Sequence, residues 1–113
     1  MARITERPGY KAMWSLAFYD LPVKTKDMKR AHSRWRKYLL SEGFVRLQLS
    51  VYGKHFPSQA SSRACLRRLQ ARLPCFGQVR LLTVTERQME KMDVFVGEEK
   101  TAPESVPEQI LLL

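Results

Sequence analysis

Asp20 is the residue of this sequence best placed to take part in chemistry. It ends a nearly unbroken apolar run, residues 12–20, and precedes Leu21 and Pro22. A carboxylate in this position is either a turn residue that accepts a hydrogen bond from its own backbone or a ligand of a hard cation such as Mg²⁺. Magnesium stabilises negative charge on a phosphodiester, but one carboxylate is too few to hold it. A two-fold dimer would bring a second Asp20, so that two carboxylates could share one ion.

The other reactive residue types are weaker candidates. His32 and His55 have no orienting carboxylate that the sequence makes evident, so a general acid or base role is not favoured for either. Cys65 and Cys75 are ten residues apart, a spacing that fits neither a Cys-x-x-Cys redox pair nor a zinc site. We expect two reduced thiols that fill space in the core.

The charge of the chain is strongly basic and unevenly distributed. Residues 1–97 carry 19 Lys and Arg against 7 Asp and Glu, whereas residues 98–113 carry one Lys against four Glu. Such a positive field favours nucleic acid as the partner, with membrane surfaces and acidic proteins as weaker alternatives. The N-terminus lacks the apolar region of a signal peptide, and the apolar C-terminal run is far shorter than the roughly 20 residues of a membrane span. We therefore expect a soluble cytoplasmic protein with no membrane partner.

Basic residues are concentrated in the segment that follows Pro22. Several recur at intervals of three and four residues and therefore share one side of a predicted helix, opposite its apolar stripe. Between residues 20 and 80, 14 Lys and Arg stand against 3 Asp and Glu. Solubility does not require this excess, so phosphate contact is favoured over a merely solvated face. The predicted nucleic-acid-binding surface, here called the basic ridge, consists of Lys24, Lys26, Lys29, Arg30, Arg34 and Lys37.

Hydrophobic periodicity predicts the elements that position these residues. Residues 12–20 indicate a central strand that is buried on both faces. Thr25 can cap a helix that runs to Ser41, and Gly43 is suited to end it in the left-handed conformation.

The second half of the chain continues the alternation of strands and helices. Residues 44–56 are too long for one alternating strand and predict a hairpin that turns near residues 48–50. A second helix is predicted over residues 57–73, a strand over 78–86 and a short strand over 93–97.

This order predicts the α+β class. We expect a ferredoxin-like βαββαβ sandwich, in which two helices cover one face of an antiparallel sheet, with the extra short strand at its C-terminal end. The other sheet face would leave a large apolar patch, so a homodimer that stacks sheet on sheet is expected. Residues 12–97 would form this domain, residues 1–11 an N-terminal extension, and residues 98–113 an acidic linker with an apolar C-terminal tail.

Three motifs resemble the CRISPR-associated protein 2 family, in the form that accompanies single-effector, dual-RNA-guided systems. They follow the family's order and spacing within residues 12–97, and together they are far more specific than any one of them. The motifs are Phe18-Tyr19-Asp20-Leu21-Pro22-Val23, Gly43-Phe44-Val45-Arg46-Leu47-Gln48-Leu49-Ser50-Val51-Tyr52 and Leu82-Thr83-Val84-Thr85-Glu86-Arg87-Gln88.

The resemblance implies a role in CRISPR adaptation. Members form homodimers that bridge two dimers of the CRISPR integrase, the CRISPR-associated protein 1 family, and hold duplex prespacer DNA while new spacers are acquired. The resemblance also implies Mg²⁺-dependent endonuclease activity, usually on RNA, with Asp20 as metal ligand and catalytic residue. Insertion of the spacer itself belongs to the integrase. C-terminal segments of the family often contact the integrase, and the corresponding candidate docking residues here are Ile110, Leu111, Leu112 and Leu113.

Three functions from different classes follow, and the first is favoured. A scaffold that binds duplex DNA predicts that Asp20→Ala leaves DNA binding intact. A nuclease, with paired Asp20 side chains holding Mg²⁺, predicts that the same substitution abolishes cleavage of RNA or DNA. An RNA-binding protein of the same fold predicts a monomer with exposed aromatic side chains on the sheet.

Overall fold

The computed structural model of the chain describes residues 11–97. The sheet is antiparallel, and its strand order is β2-β3-β1-β4, the order of a ferredoxin-like α+β fold. The prediction of fold class is confirmed. The elements in chain order are strand β1 (Met13–Asp20), helix α1 (Lys26–Ser41), strands β2 (Val45–Gln48) and β3 (Val51–Phe56), helix α2 (Gln59–Gln70), strand β4 (Gln78–Thr85) and the short helix α3 (Glu86–Glu90).

Strand β1 is central, which explains its nearly continuous apolar sequence. It pairs with β3 from Met13 to Phe18 on one side and with β4 over its whole length on the other. A strand in this position has neighbours at both edges and packing on both faces, so its side chains are mostly apolar, and the buried Ser15 hydroxyl is paired with that of Thr83 at 3.0 Å.

Both long helices pack on one face of the sheet. Thr25 caps the N-terminus of helix α1. Its hydroxyl oxygen accepts a hydrogen bond from the Met28 backbone N–H at 3.1 Å. Gly43 follows the helix with φ 98°, as predicted. The core between the helices and the sheet consists of Ala17, Tyr19, Trp35, Leu39, Phe44, Tyr52, Phe56, Cys65 and Leu69.

The opposite side of the sheet, here called the open sheet face, is apolar and has no covering element within residues 11–97. Leu16 lies at its centre and pairs in register with Gly53 and Leu82. A Cβ atom at Gly53 would come within 2.9 Å of a Leu47 methyl group and 3.1 Å of a Leu16 methyl group, so glycine allows these side chains to pack. Leu82 is nevertheless 50% exposed and Val45 54% exposed.

The predicted secondary structure needs three corrections. Helix α2 ends at Gln70 and not at residue 73. The capping box of Thr85 and Gln88 starts the unpredicted helix α3. The extra strand over residues 93–97 is not formed; Val94, Phe95 and Val96 are 71%, 91% and 88% exposed. A strand needs a neighbour to satisfy its backbone, and residues 93–97 pair with no strand in the described part of the chain.

None of the helices within residues 11–97 is long and apolar enough to cross a membrane.

Candidate functional site

Asp20 lies at the end of β1, on the same side of the sheet as the open sheet face. It pairs in register with Gln78, the first residue of β4, and its side chain is exposed. Asp20 makes no ion pair among residues 11–97, where the acidic partners are Asp27, Glu86 and Glu42. The Asp20 carboxylate accepts no hydrogen bond from the described part of the chain either, so the Asx turn is not formed. As far as residues 11–97 are concerned, the carboxylate is therefore available to a ligand or to a second copy of the chain.

A shallow concavity surrounds Asp20. Its wall includes Arg46 of β2, Arg80 of β4 and Ser50 in the turn between β2 and β3. Ser50 has φ 66°, in the left-handed region that few residues other than glycine adopt. Its carbonyl accepts a hydrogen bond from the Tyr19 backbone N–H at 3.1 Å, which holds the turn against the end of β1. Arg46 and Arg80 bring positive charge to the wall of this concavity, which can contact a phosphodiester.

Gly77 packs closely against the backbone of Asp20 and Leu21. Its φ is 80°, and a Cβ atom there would collide with the Asp20 carbonyl oxygen and lie 2.9 Å from the Leu21 Cα. Only glycine combines this conformation with so close an approach. The end of β1 is thus held between a turn and the start of β4, which positions Asp20 although its side chain is exposed.

The described residues of one copy place no cluster of metal-ligating side chains at Asp20. Within the described residues, no group of three or more His, Cys, Asp or Glu side chains is placed to hold an ion. Mg²⁺ requires near-octahedral oxygen coordination, commonly by one or two carboxylates together with water and substrate phosphate. A second protomer's Asp20 would supply the second carboxylate of such a set.

Tyr19, on the helix side of β1, lies in a packed aromatic cluster beneath the site. Its ring centroid is 5.9 Å from that of Tyr52 and 5.6 Å from that of His32. Burial raises the pKa of the Tyr19 hydroxyl, and the hydrogen bond with Tyr52 adds to the effect. Burial also lowers the pKa of His32, with a further contribution from Arg36. Both side chains are therefore neutral at pH 7 and support the strand end.

The residues of the basic ridge lie along one side of α1 and in the loop before it. All six of its side chains are exposed. The only nearby ion pair within the described residues joins Arg30 to Asp27 at 3.6 Å, and both side chains are at least 70% exposed, so the pair contributes little. The ridge therefore presents an almost uncompensated line of positive charge to solvent.

His55 has an orienting carboxylate that sequence inspection missed. Its Nε2 atom lies 2.7 Å from a carboxylate oxygen of Glu86, and the Trp14 ring packs edge-on against it at 5.6 Å. The pair connects β3 with α3 across 31 residues. It lies at the end of the sheet opposite Asp20, so the two do not form one site.

The predicted docking segment, Ile110–Leu113, lies outside the described residues, as do residues 1–10.

Together these features define a small basic domain of ferredoxin-like fold, with one exposed carboxylate at the end of its first strand. The chain belongs to the CRISPR-associated protein Cas2 family, whose model matches residues 13–92. The family suggested by the three motifs is therefore confirmed.

Individual relatives agree with the family model. The chain is 37% identical over 100 residues to a "CRISPR-associated endoribonuclease Cas2" of Parvibaculum lavamentivorans, which covers 88% of this chain and 99% of that protein. It is 42% identical over 85 residues to a protein of the same name from Acidovorax ebreus, covering 75% of this chain and 83% of that protein. A solved structure described as "Crystal structure of cas2" is similar with a TM-score of 0.49 and 19% identity, over 82% of this chain and 94% of that one.

Proposed function

We propose that this chain is a homodimeric scaffold of CRISPR adaptation, which binds duplex prespacer DNA along the basic ridge and bridges dimers of the CRISPR integrase. The observation that carries the proposal is the exposed, almost uncompensated line of positive charge on α1. Exposed cations along one side of a helix can contact the phosphates of a nucleic-acid backbone and do not read bases. Binding is therefore independent of sequence, as a protein that receives many different prespacers requires.

The open sheet face supports the homodimer. Its central residues, Leu16 and Leu82, pair with each other, and neighbouring apolar side chains remain exposed in the single chain. Stacking two copies about a two-fold axis would bury this patch on both. Asp20 lies on the same side of the sheet, so dimerisation would also set the distance between the two carboxylates.

Integrase contact is assigned to the C-terminal tail, Ile110–Leu113, and the complex is assigned to the prokaryotic cytoplasm. A short apolar segment is of the kind that a partner's groove or strand edge binds. The test is sedimentation of the chain with the integrase and a labelled duplex. A complex that contains all three components is expected, and deletion of residues 110–113 should release the integrase while the duplex stays bound. Release of the duplex together with the integrase would contradict the proposal that the tail binds the integrase and the basic ridge binds the DNA.

A second candidate function is Mg²⁺-dependent cleavage of RNA or DNA. Asp20 has no ion-pair or hydrogen-bond partner among the described residues and lines the same shallow concavity as Arg46 and Arg80, and the relatives are named endoribonucleases. Two Asp20 side chains of a dimer would hold Mg²⁺, which when bound stabilises charge on the phosphate. Arg46 and Arg80 would orient the phosphodiester through charged hydrogen bonds.

One experiment separates the scaffold from the nuclease. Labelled RNA and duplex DNA are incubated with the wild-type protein and with Asp20→Asn, purified identically, with Mg²⁺ and with chelator. The scaffold predicts no cleavage that depends on both Asp20 and Mg²⁺, and duplex binding that is retained in the variant. Cleavage by the wild type with Mg²⁺, lost in the variant, would establish the nuclease. A monomeric protein that prefers single-stranded RNA would instead support an RNA-binding protein of this fold.

A further inference from the structure

A second concave surface lies on the helix side of the molecule. It is formed between α1 and the segment that links α2 to β4, and its volume is about 360 Å³. Small-molecule pockets span about 300–1,000 Å³, so this cavity is large enough for one mononucleotide and too small for a folded polymer. Neither the basic ridge nor the Asp20 site requires a cavity here.

The polar part of the cavity favours an anion. Three guanidinium groups, those of Arg30, Arg34 and Arg72, line it together with one carboxylate, that of Asp27. Asp27 lies 3.6 Å from Arg30 and offsets part of that charge. Arg34 and Arg72 remain without an acidic partner in the described part of the chain, and guanidinium groups bind phosphate oxygens in a bidentate manner.

Arg72 is held in place before any ligand arrives. Its guanidinium carbon lies 4.9 Å from the centre of the Tyr38 ring. The Tyr38 hydroxyl donates a hydrogen bond to Glu42 at 2.8 Å, and the Trp35 ring packs against Tyr38 at 6.4 Å. Since the ring that supports Arg72 is fixed on both sides, the guanidinium loses little freedom when it binds an anion.

The remaining wall is apolar and favours a planar group. Leu73 is 47% exposed, although an apolar residue of this size is usually buried, and Phe76 is half-buried beside it. Trp35 also lines the cavity, and its indole N–H has no hydrogen-bond partner among the described residues. A ligand that combines an anionic group with a flat apolar part that carries hydrogen-bond acceptors matches both halves.

We propose that this cavity binds one nucleoside monophosphate unit, with its phosphate at Arg34 and Arg72 and its base against Leu73 and Phe76. The unit is either a free nucleotide or the phosphorylated end of a nucleic-acid strand. The site goes beyond the proposed function, because duplex binding along a ridge needs only phosphate contacts on a convex surface.

The test is isothermal titration of the full chain with AMP, adenosine and inorganic phosphate at low salt. AMP is expected to bind at one site per chain, at least tenfold more tightly than adenosine or phosphate. Equal affinity for AMP and phosphate would overturn the base contact, and equal affinity for AMP and adenosine would overturn the phosphate contact. Absence of AMP binding would overturn the site.

Two variants locate the binding. Arg72→Gln is expected to weaken AMP binding at least tenfold. The control, Arg63→Gln, removes the same charge from an exposed position on α2 and should change AMP binding less than twofold. Leu73→Glu places a carboxylate at the cavity wall and should also abolish binding. Equal losses in Arg72→Gln and Arg63→Gln would show that only the overall charge matters and would overturn the proposal. Since Arg72 is not part of the basic ridge, duplex binding is measured on the same variants as an independent property.

A competition experiment identifies the source of the nucleotide. A short oligothymidine with a 5′-phosphate is added to the AMP complex, beside the same strand without the phosphate. Displacement of AMP by the phosphorylated strand alone assigns the site to strand ends. Retention of AMP against both strands assigns it to free nucleotides.

Discussion

Glu42 and Arg68 form a two-point ion pair that joins the end of α1 to α2. The Arg68 Nε and Nη2 atoms lie 2.8 Å and 2.9 Å from the two carboxylate oxygens. Tyr38 donates a further hydrogen bond to the same carboxylate at 2.8 Å, and the Glu42 side chain is only 13% exposed. The contact with Arg68, opposed by burial and assisted by Tyr38, lowers the pKa of Glu42 to about 2.

Glu42→Gln is expected to lower the free energy of unfolding by about 1–2 kcal/mol, since it removes the charge from hydrogen bonds that a charged group strengthens. Urea unfolding followed by circular dichroism measures the change. Glu90→Gln is the matched control, because Glu90 is exposed on α3 and makes no ion pair within residues 11–97. Equal unfolding midpoints for the two variants would show that the Glu42 pair does not stabilise the fold.

The same carboxylate predicts a dependence of stability on pH. Its pKa is about 2 in the folded protein and 4.5 in the unfolded chain, so the unfolded state binds the proton more readily. The stabilisation is present above pH 4.5 and is lost as the pH falls towards 2. The difference in unfolding free energy between wild type and Glu42→Gln should therefore be smaller at pH 3 than at pH 7. An unchanged difference would contradict the low pKa.

Gly77→Ala should destabilise the protein and disturb Asp20. The new Cβ would collide with the Asp20 carbonyl oxygen, and φ 80° is unfavourable for alanine. A cost of about 1–3 kcal/mol is expected, measured by thermal or urea unfolding. Gly97→Ala is the control, since nothing lies within 4 Å of its added Cβ. A Gly77→Ala protein as stable as the control would mean that the end of β1 readily shifts.

The elements with a strong local pattern could be predicted from the sequence. Residues 12–20 were apolar enough to indicate a central strand, and Thr25 and Gly43 marked the ends of α1 correctly. The hairpin turn near residues 48–50 followed from the length of the alternating segment. Each of these features depends on residues that are close in sequence.

Contacts between distant residues could not be predicted in this way. The pair of His55 and Glu86 depends on how far β3 and the end of β4 are shifted relative to β1, which no local pattern reports. The pair of Glu42 and Arg68 depends on how the two helices lie on the sheet. The apolar segment at residues 94–96 resembled a strand, but strand formation requires a neighbour, and its sequence does not specify one.

Charge-neutral replacement of Lys26, Lys29 and Lys37 should weaken duplex binding equally for unrelated DNA sequences. These three residues belong to the basic ridge and do not line the nucleotide cavity. The slope of log affinity against log salt should become shallower by about one unit for each phosphate contact that is lost. Fluorescence anisotropy at several salt concentrations measures both effects.

The control for the ridge removes the same charge elsewhere. Arg63→Gln, Arg87→Gln and Lys91→Gln neutralise three exposed cations outside α1. Their combination should leave the salt slope nearly unchanged. Equal slopes for the two triple variants would show that DNA senses only the net charge of the protein, and the ridge would not be the binding surface.

Leu82→Lys should convert the proposed dimer to a monomer. Leu82 is 50% exposed and lies opposite Leu16 at the centre of the open sheet face, where a second copy would bury it. A buried, unpaired ammonium group is strongly unfavourable in such an interface. Light scattering measures the mass, and Leu40→Lys is the control, because Leu40 is 48% exposed on α1 and away from the sheet. The wild type and the control are expected to be dimers. If Leu82→Lys were also a dimer, the open sheet face would not be the interface, and dimerisation would no longer bring the two Asp20 carboxylates to one shared site.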